Sequence, residues 1–121
     1  MLDVILSGLC VGVVAELGAY MARLWQYRSP VLPLVNICLM FGLCMGSLSL
    51  LVPLIGTTGT FLAGCAIGYV YEWANFLIFK WWHFPNDKFL FFKGKNGCAF
   101  GVALGWGAVP VVIPMVSGLL F

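Results

Sequence analysis

Residues 4–24 read VILSGLCVGVVAELGAYMARL, a run in which Glu16 is the only charged residue before Arg23. A helix needs about 20 mostly apolar residues to cross the roughly 30 Å hydrocarbon layer of a membrane. The run has both the length and the apolar character that crossing requires. It therefore predicts that this part of the chain enters a lipid bilayer as a helix.

The rest of the chain has the same composition. Of its 121 residues, 63% are hydrophobic and 8% are charged, whereas a soluble domain carries about 25% charged residues. The charged side chains are too few to cover a water-facing surface, and the apolar ones are too many for one small core. The composition excludes a soluble globular domain and predicts an integral membrane protein.

Three further apolar runs follow the first, separated by residues that favour turns. Pro30 and Pro33 mark the first break, Pro53 with the Gly-Thr-Thr-Gly stretch 56–59 marks the second, and Pro85 opens the third. The predicted spans are about 4–24, 31–52, 59–82 and 97–120. The expected fold is all-α, a polytopic bundle of four transmembrane helices in one domain covering residues 1–121.

The basic residues are distributed on one side only of these four spans. Two lie between the first and second spans and four lie between the third and fourth: Arg23, Arg28, Lys80, Lys88, Lys93 and Lys95. Cytoplasmic loops are enriched in Lys and Arg. We therefore expect both connections in the cytoplasm and both termini outside, in the plasma (inner) membrane.

Comparing the chain with itself at an offset of 56 residues reveals a repeated pattern, Gly-x-x-x-Gly-x-x-x-Glu. The matched positions are Gly8 with Gly64, Gly12 with Gly68, Val14 with Val70, Glu16 with Glu72, and Trp25 with Trp81. Two spans per repeat preserve direction across the membrane. The pattern predicts two parallel helical-hairpin repeats.

Glycines at four-residue spacing occur in all four spans. Glycine at a helix surface lets a neighbouring backbone approach closely, and close packing is the main force between helices in lipid. The predicted packing residues are Gly8, Gly12, Gly64, Gly68, Gly42, Gly46, Gly101 and Gly105.

Glu16 and Glu72 are expected near the middle of the membrane, where a charged side chain costs about 2.5–3.5 kcal/mol. Asn75 and Asn36 have a similar expected depth, and Tyr20, Tyr69 and Tyr71 are candidates for the same polar cluster. Intramembrane ionisable residues usually have a function. We therefore predict a transport or proton site of Glu16, Glu72, Asn75 and Asn36. In the alternative, the protonated acids only hold the helices together by hydrogen bonds.

Two functions remain open on these grounds. The first is a small proton- or cation-linked transporter or channel that uses the buried glutamates. The second is a non-catalytic subunit or assembly factor of a larger membrane complex. The expected partners are the lipid bilayer and either further copies of the chain or other membrane subunits. A carboxylate alone suits protons, metal cations and organic cations equally, so no substrate is predicted.

The connection at residues 80–95 combines aromatic and basic residues. Such side chains anchor a protein at the headgroup boundary of a membrane. The predicted interface anchors are Trp81, Trp82, Lys88, Lys93 and Lys95. A docking surface for a larger partner is the alternative.

Other classes of function receive no support. The net charge of +2 does not indicate nucleic-acid binding. The five cysteines contain no Cys-x-x-Cys pair and His83 is the single histidine, so we expect no metal site and no cofactor. His83 and Asp87 lack a nucleophile nearby in sequence, which argues against an enzyme.

Overall fold

Four long helices make up most of the chain. The computed structural model describes all 121 residues, is all-α and is 80% helical. The helices are α1 (Leu2–Ala22), α2 (Leu32–Ser49), α3 (Val52–Phe79) and α4 (Gly94–Leu120), each long and apolar enough to cross a membrane. The all-α class and the four long apolar helices predicted from the sequence are confirmed.

The first turns of α3 include the stretch that the sequence marked as a break. Pro53 occupies the first turn of the helix, where the missing N–H of proline has no helical partner to lose. Gly56 then interrupts the helix with φ 78° and ψ 170°, a conformation that suits glycine because it has no Cβ. The proline and glycine therefore produce a helix start and a kink rather than a loop.

Two helices contain π-helical segments. In α2, residues Ile37–Met45 are π-helical, between α-helical segments Leu32–Asn36 and Gly46–Ser49. In α3, the last turns, Asn75–Phe79, are π-helical. π-Helical turns are rare in proteins, and those that occur often lie at functional sites. Asn36 directly precedes the first of these segments, and Asn75 begins the second.

Both α1 and α3 end in the same way. Arg23, with φ 54° and ψ 41°, and Lys80, with φ 51° and ψ 41°, adopt the left-handed conformation directly after their helices. Such a residue reverses the chain direction and lets the following N–H groups bond to the last helical carbonyls. Each connection therefore turns back towards its own helix.

The two connections meet at one end of the bundle. Strand β1 (Gln26–Tyr27) pairs antiparallel with β2 (Trp82–His83), with Gln26 opposite His83. A second short hairpin, β3 (Lys88–Phe89) with β4 (Phe92–Lys93), follows a 3-10 turn at Pro85–Asp87. Because these connections and the first turn of α4 carry all six Lys and Arg residues, the basic residues lie at one end of the molecule.

The helices pack as two hairpins, α1 with α2 and α3 with α4, and α4 also contacts α1. A Cβ atom at Gly64 would lie 2.7 Å from the Trp106 carbonyl oxygen, and one at Gly8 would lie 3.1 Å from the Phe41 carbonyl carbon. Gly12 and Gly68 lie against the side chains of the same two aromatic residues. At these positions the neighbouring helix leaves no room for a side chain.

The other four glycines that were predicted to pack have different surroundings. Gly42 lies against Leu9, Gly46 against the backbone of Val4, and Gly101 against the ring of Phe92. A Cβ at Gly105 would meet nothing within 4 Å. Gly105 therefore lies beside open space.

Apolar side chains are found outside as well as inside. The core contains Phe41, Met45, Trp106 and Ile113, whereas Val14, Leu54 and Leu119 are among many exposed aliphatic residues. An extended apolar surface is typical of contact with lipid or with another protein.

Candidate functional site

Glu16 lies in a buried cluster of hydrogen-bond donors near the end of α1. Its carboxyl group belongs to a residue that is only 8% exposed. Trp25 Nε1 donates to Oε2 at 3.2 Å, while Tyr27 Oη and Asn36 Nδ2 donate to Oε1 at 2.5 and 2.7 Å. The connection supplies Trp25 and Tyr27, and α2 supplies Asn36.

Glu72 has a matching environment in the second hairpin. This residue is 2% exposed. Trp82 Nε1 donates to its Oε2 at 2.9 Å and Trp106 Nε1 donates to its Oε1 at 3.3 Å. Both carboxyl oxygens therefore accept a hydrogen bond from an indole.

Asn36 joins the Glu16 cluster to α3. The Tyr71 hydroxyl donates to Asn36 Oδ1 at 2.7 Å, and Asn36 Nδ2 also lies 3.1 Å from the Tyr27 hydroxyl. Because Tyr71 directly precedes Glu72, the hydrogen-bonded cluster of the first hairpin reaches the residue adjacent to the second acid. The structure thus brings Glu16, Asn36 and Glu72 into one region of the bundle.

Neither buried acid forms a salt bridge. The one salt bridge in the structure joins the amino terminus to Asp3 at 3.1 Å. Indole N–H groups only donate, and an ionised carboxylate only accepts, so the two kinds of group satisfy each other. Burial, reinforced by the nearby Glu16 carboxyl group, raises the pKa of the Tyr27 phenol above its usual range. Tyr27 therefore keeps its proton and acts as a donor.

Asn75, which the sequence grouped with the acids, bonds to the backbone instead. Its Nδ2 donates to the Trp82 carbonyl at 2.9 Å, and its Oδ1 accepts from the backbone N–H groups of Trp81 and Trp82 at 2.8 and 3.2 Å. This side chain fixes the turn that follows α3. Its bonds to the Trp82 backbone also help to position the indole that donates to Glu72.

The predicted interface anchors occupy different environments. Lys88, Lys93 and Lys95 are exposed, and Trp81 is partly buried, with its ring stacked on Phe79 at 4.9 Å between centroids. Trp82 is buried beside Glu72. Trp82 thus belongs to the acid cluster in this structure.

Several donors to the acids were not identified from the sequence. Trp25 and Trp82 each stand two residues after a left-handed residue, Arg23 or Lys80, and only that turn brings their indoles back to the acids. The sequence signal is a tryptophan nine or ten residues after each buried acid. Of the three candidate tyrosines, Tyr71 joins the cluster, whereas Tyr20 is exposed and Tyr69 bonds to Asn96 at the surface.

Two cavities reach the acids. A surface groove of about 900 Å³ contains Glu16 together with Arg23 and Arg28. A second cavity, of about 180 Å³, contains Glu72 and Asn36 among aromatic side chains. Trp25 and Tyr27 line both spaces.

The side chains show no arrangement suited to a metal ion. No group of three or more His, Cys, Asp or Glu residues lies together, and the five cysteines are free thiols.

Comparisons with protein-family models, with curated proteins and with solved structures found no match to this chain.

Proposed function

We propose that this chain is an integral membrane protein with four membrane-spanning helices, both ends outside, in the plasma membrane. The support is physical. Each helix has the length and hydropathy of a span, and the outer surface is rich in exposed aliphatic side chains. All six Lys and Arg residues lie at one end, which is the expected cytoplasmic end.

The two hairpins are proposed to be parallel repeats, and their contacts support this. Gly8 meets the Phe41 backbone as Gly64 meets the Trp106 backbone. Trp25 donates to Glu16 as Trp82 donates to Glu72. These correspondences involve packing and hydrogen bonding, which a chance excess of glycine would not produce.

The spacing between equivalent residues changes along the chain for a structural reason. Glu16 and Glu72 lie 56 residues apart, whereas Trp25 and Trp82 lie 57 apart. A π-helical turn contains one residue more than an α-helical hydrogen-bonded turn, and such a segment, Asn75–Phe79, lies between Glu72 and Trp82. With this correction Gln26 is equivalent to His83, its partner in the β1–β2 pair. A pairing of equivalent residues is what an approximate two-fold axis between the hairpins requires.

The proposed function is that of a small proton- or cation-linked transporter or channel. One observation carries it: two buried carboxyl groups accept hydrogen bonds from neutral donors, and neither forms a salt bridge with a basic side chain. Within a membrane an unbalanced charge costs about 2.5–3.5 kcal/mol on insertion scales. A proton or another bound cation would remove that cost, and exchange of this cation is the proposed activity.

Glutamine variants test this function. Glu16→Gln and Glu72→Gln keep the volume and most hydrogen-bonding capacity of the side chain but cannot titrate. In proteoliposomes, each variant should insert and assemble normally, and at least one should lose pH-dependent flux. Asp3→Asn is the matched control. Asp3 is an acid far from the cluster, and its carboxylate bonds to the amino terminus and Ser117. Normal flux in the Glu16→Gln, Glu72→Gln double variant would refute the transport mechanism.

A second candidate is a non-catalytic subunit or assembly factor of a larger membrane complex. The observation that favours it is that every buried side-chain nitrogen and oxygen already has a hydrogen-bond partner, as expected for a purely structural cluster. Purification from native membrane distinguishes the two candidates. A homo-oligomer supports the transporter, and foreign subunits in fixed stoichiometry support the subunit.

A further inference from the structure

The cavity beside Glu72 is lined mainly by aromatic rings. Residues from all four helices and both connections surround it, and the aromatic ones are Trp25, Tyr27, Phe41, Trp82, Phe89 and Trp106. Its volume of about 180 Å³ is below the roughly 300–1,000 Å³ that is usual for drug-sized ligands. The cavity therefore suits a small molecule.

The cavity carries one acidic side chain and no basic one. Glu72 is the acid, Asn36 adds an amide, and no Lys, Arg or His lines the space. Both oxygens of Glu72 accept indole N–H groups, from Trp82 and Trp106. Since the N–H bond lies in the plane of its ring, these hydrogen bonds fix the orientation of two of the aromatic side chains that line the cavity.

We propose that this cavity binds a small organic ammonium ion, an inference that rests on the proposed cation-linked function and specifies its substrate class. Aromatic faces attract cations through the ring quadrupole, and aromatic cages are the usual means of recognising quaternary ammonium groups. Glu72 supplies the opposite charge. Methyl groups on the nitrogen would contact the rings. A hydrated inorganic ion would lose its bound water on entering the cavity, and the rings would supply no ligands to replace that water.

An inorganic divalent cation fits the same cavity poorly. Mg²⁺ and Ca²⁺ take about six to eight oxygen ligands. Here the polar side chains are Glu72, whose oxygens are already engaged, and Tyr27 and Asn36, which bond to Glu16. No cluster of metal-ligating side chains supplements them.

Gly105 offers a way to obstruct the cavity without removing any of its polar or aromatic groups. It lines the cavity, and a Cβ added there would meet nothing within 4 Å. Gly105 is also exposed, so Gly105→Leu should place a side chain at the open edge of the cavity and obstruct the ligand there. Gly18→Leu is the matched control, because Gly18 is also helical with nothing within 4 Å but lies outside the cavity.

Binding is measured on the purified full-length chain in detergent by titrating intrinsic tryptophan fluorescence. Three of the five tryptophans line the cavity. The probes are tetramethylammonium, choline, and the neutral analogue of choline in which carbon replaces nitrogen. We expect saturable changes with both cations and at least about tenfold weaker binding of the neutral analogue. Glu72→Gln and Gly105→Leu should each weaken choline binding by at least about tenfold, while Gly18→Leu and Asp3→Asn bind as the unmodified chain does.

Each other outcome has a defined meaning. Equal binding of choline and its neutral analogue would overturn the inference, because the cavity would then be a simple apolar pocket. Saturation by sodium or potassium in place of the ammonium ions would overturn it too, as would unchanged binding in Gly105→Leu. If no ammonium ion binds but glutamate-dependent proton flux persists, this inference fails and the proposed function stands. If ammonium ions bind and no flux occurs in proteoliposomes, the site stands and the transport function fails.

Discussion

At the level of single residues, Tyr27 connects the surroundings of Glu16 with those of Glu72. Its hydroxyl donates to Glu16 and lies beside Asn36, and the residue lines both the groove and the cavity. Burial raises the pKa of this phenol, and the adjacent Glu16 carboxyl raises it further. The folded protein thus retains a proton that an unfolded tyrosine releases near pH 10 (about its ordinary pKa).

The first prediction follows from that difference in proton binding. As pH rises through about 10, the unfolded chain loses the Tyr27 proton while the folded chain keeps it, so the free energy of unfolding should fall. The free energy of unfolding of Tyr27→Phe should fall less steeply over this range. At neutral pH the same variant should be less stable by about 1–3 kcal/mol, because the partners of the hydroxyl lose a hydrogen bond.

Unfolding of the purified protein in detergent, followed at several pH values, measures both effects. Tyr20→Phe is the control, since Tyr20 is 81% exposed, and it should behave as the unmodified chain does. Parallel stability profiles for Tyr27→Phe and the unmodified chain above pH 10 (about the tyrosine pKa) would contradict the prediction.

The candidate residues differ in how far the sequence could predict them. Glu16 and Glu72 could be identified because a charge in a long apolar run is unusual. Trp25 and Trp106 could not, because an indole has an apolar body and its N–H direction depends on turns and packing. For Asn75 the sequence indicated depth but not the bonding partners: its amide bonds to the connecting backbone.

At the level of helices, glycines lie at close contacts between the two members of each hairpin. At Gly64, an added Cβ would lie 2.7 Å from one backbone atom of α4 and 2.9 Å from another, the Gly107 Cα. Backbone atoms cannot rotate away as a flexible side chain would. Any substitution at Gly64 must therefore move α3 and α4 apart.

Gly64→Ala should consequently destabilise the protein by about 1–3 kcal/mol, the usual effect of overpacking. Gly18→Ala is the control, because a Cβ at Gly18 meets nothing within 4 Å and alanine favours a helix over glycine by about 0.5–1 kcal/mol. Unfolding in mixed detergents would compare the two variants. Equal stability of Gly64→Ala and Gly18→Ala would show that the close approach of α3 and α4 contributes nothing.

The helices themselves were predictable, but their ends were less so. Apolar length identifies a span because the membrane thickness fixes it. The left-handed residues that end α1 and α3 are arginine and lysine rather than glycine, so the usual sequence signal for such an end is missing. The start of α3 was also obscured, because Pro53 and Gly56 are typical of a loop and here begin and bend a helix.

For the whole molecule, the arrangement of the two connections supports the proposed direction in the membrane. β1 and β2 pair with each other, and the Arg28 N–H donates to the Trp81 carbonyl at 2.6 Å. These contacts hold residues 23–31 and 80–93 at the same end of the bundle. Two connections on one side, both basic, are consistent with an even number of spans and with a cytoplasmic location of that end.

Cysteine labelling tests this direction. Thr58→Cys and Leu90→Cys place a thiol at exposed positions in α3 and in the second connection. The background would have its five cysteines replaced by alanine. Alanine is preferred to serine because Cys98 is buried, and a serine there would bury a hydroxyl without a partner. A membrane-impermeant maleimide applied to intact cells should label position 58, while position 90 should react only after permeabilisation. Both positions must react in permeabilised cells, which shows that each thiol is accessible. Labelling of position 90 in intact cells, with position 58 protected, would invert the proposed topology and place the basic end of the bundle outside.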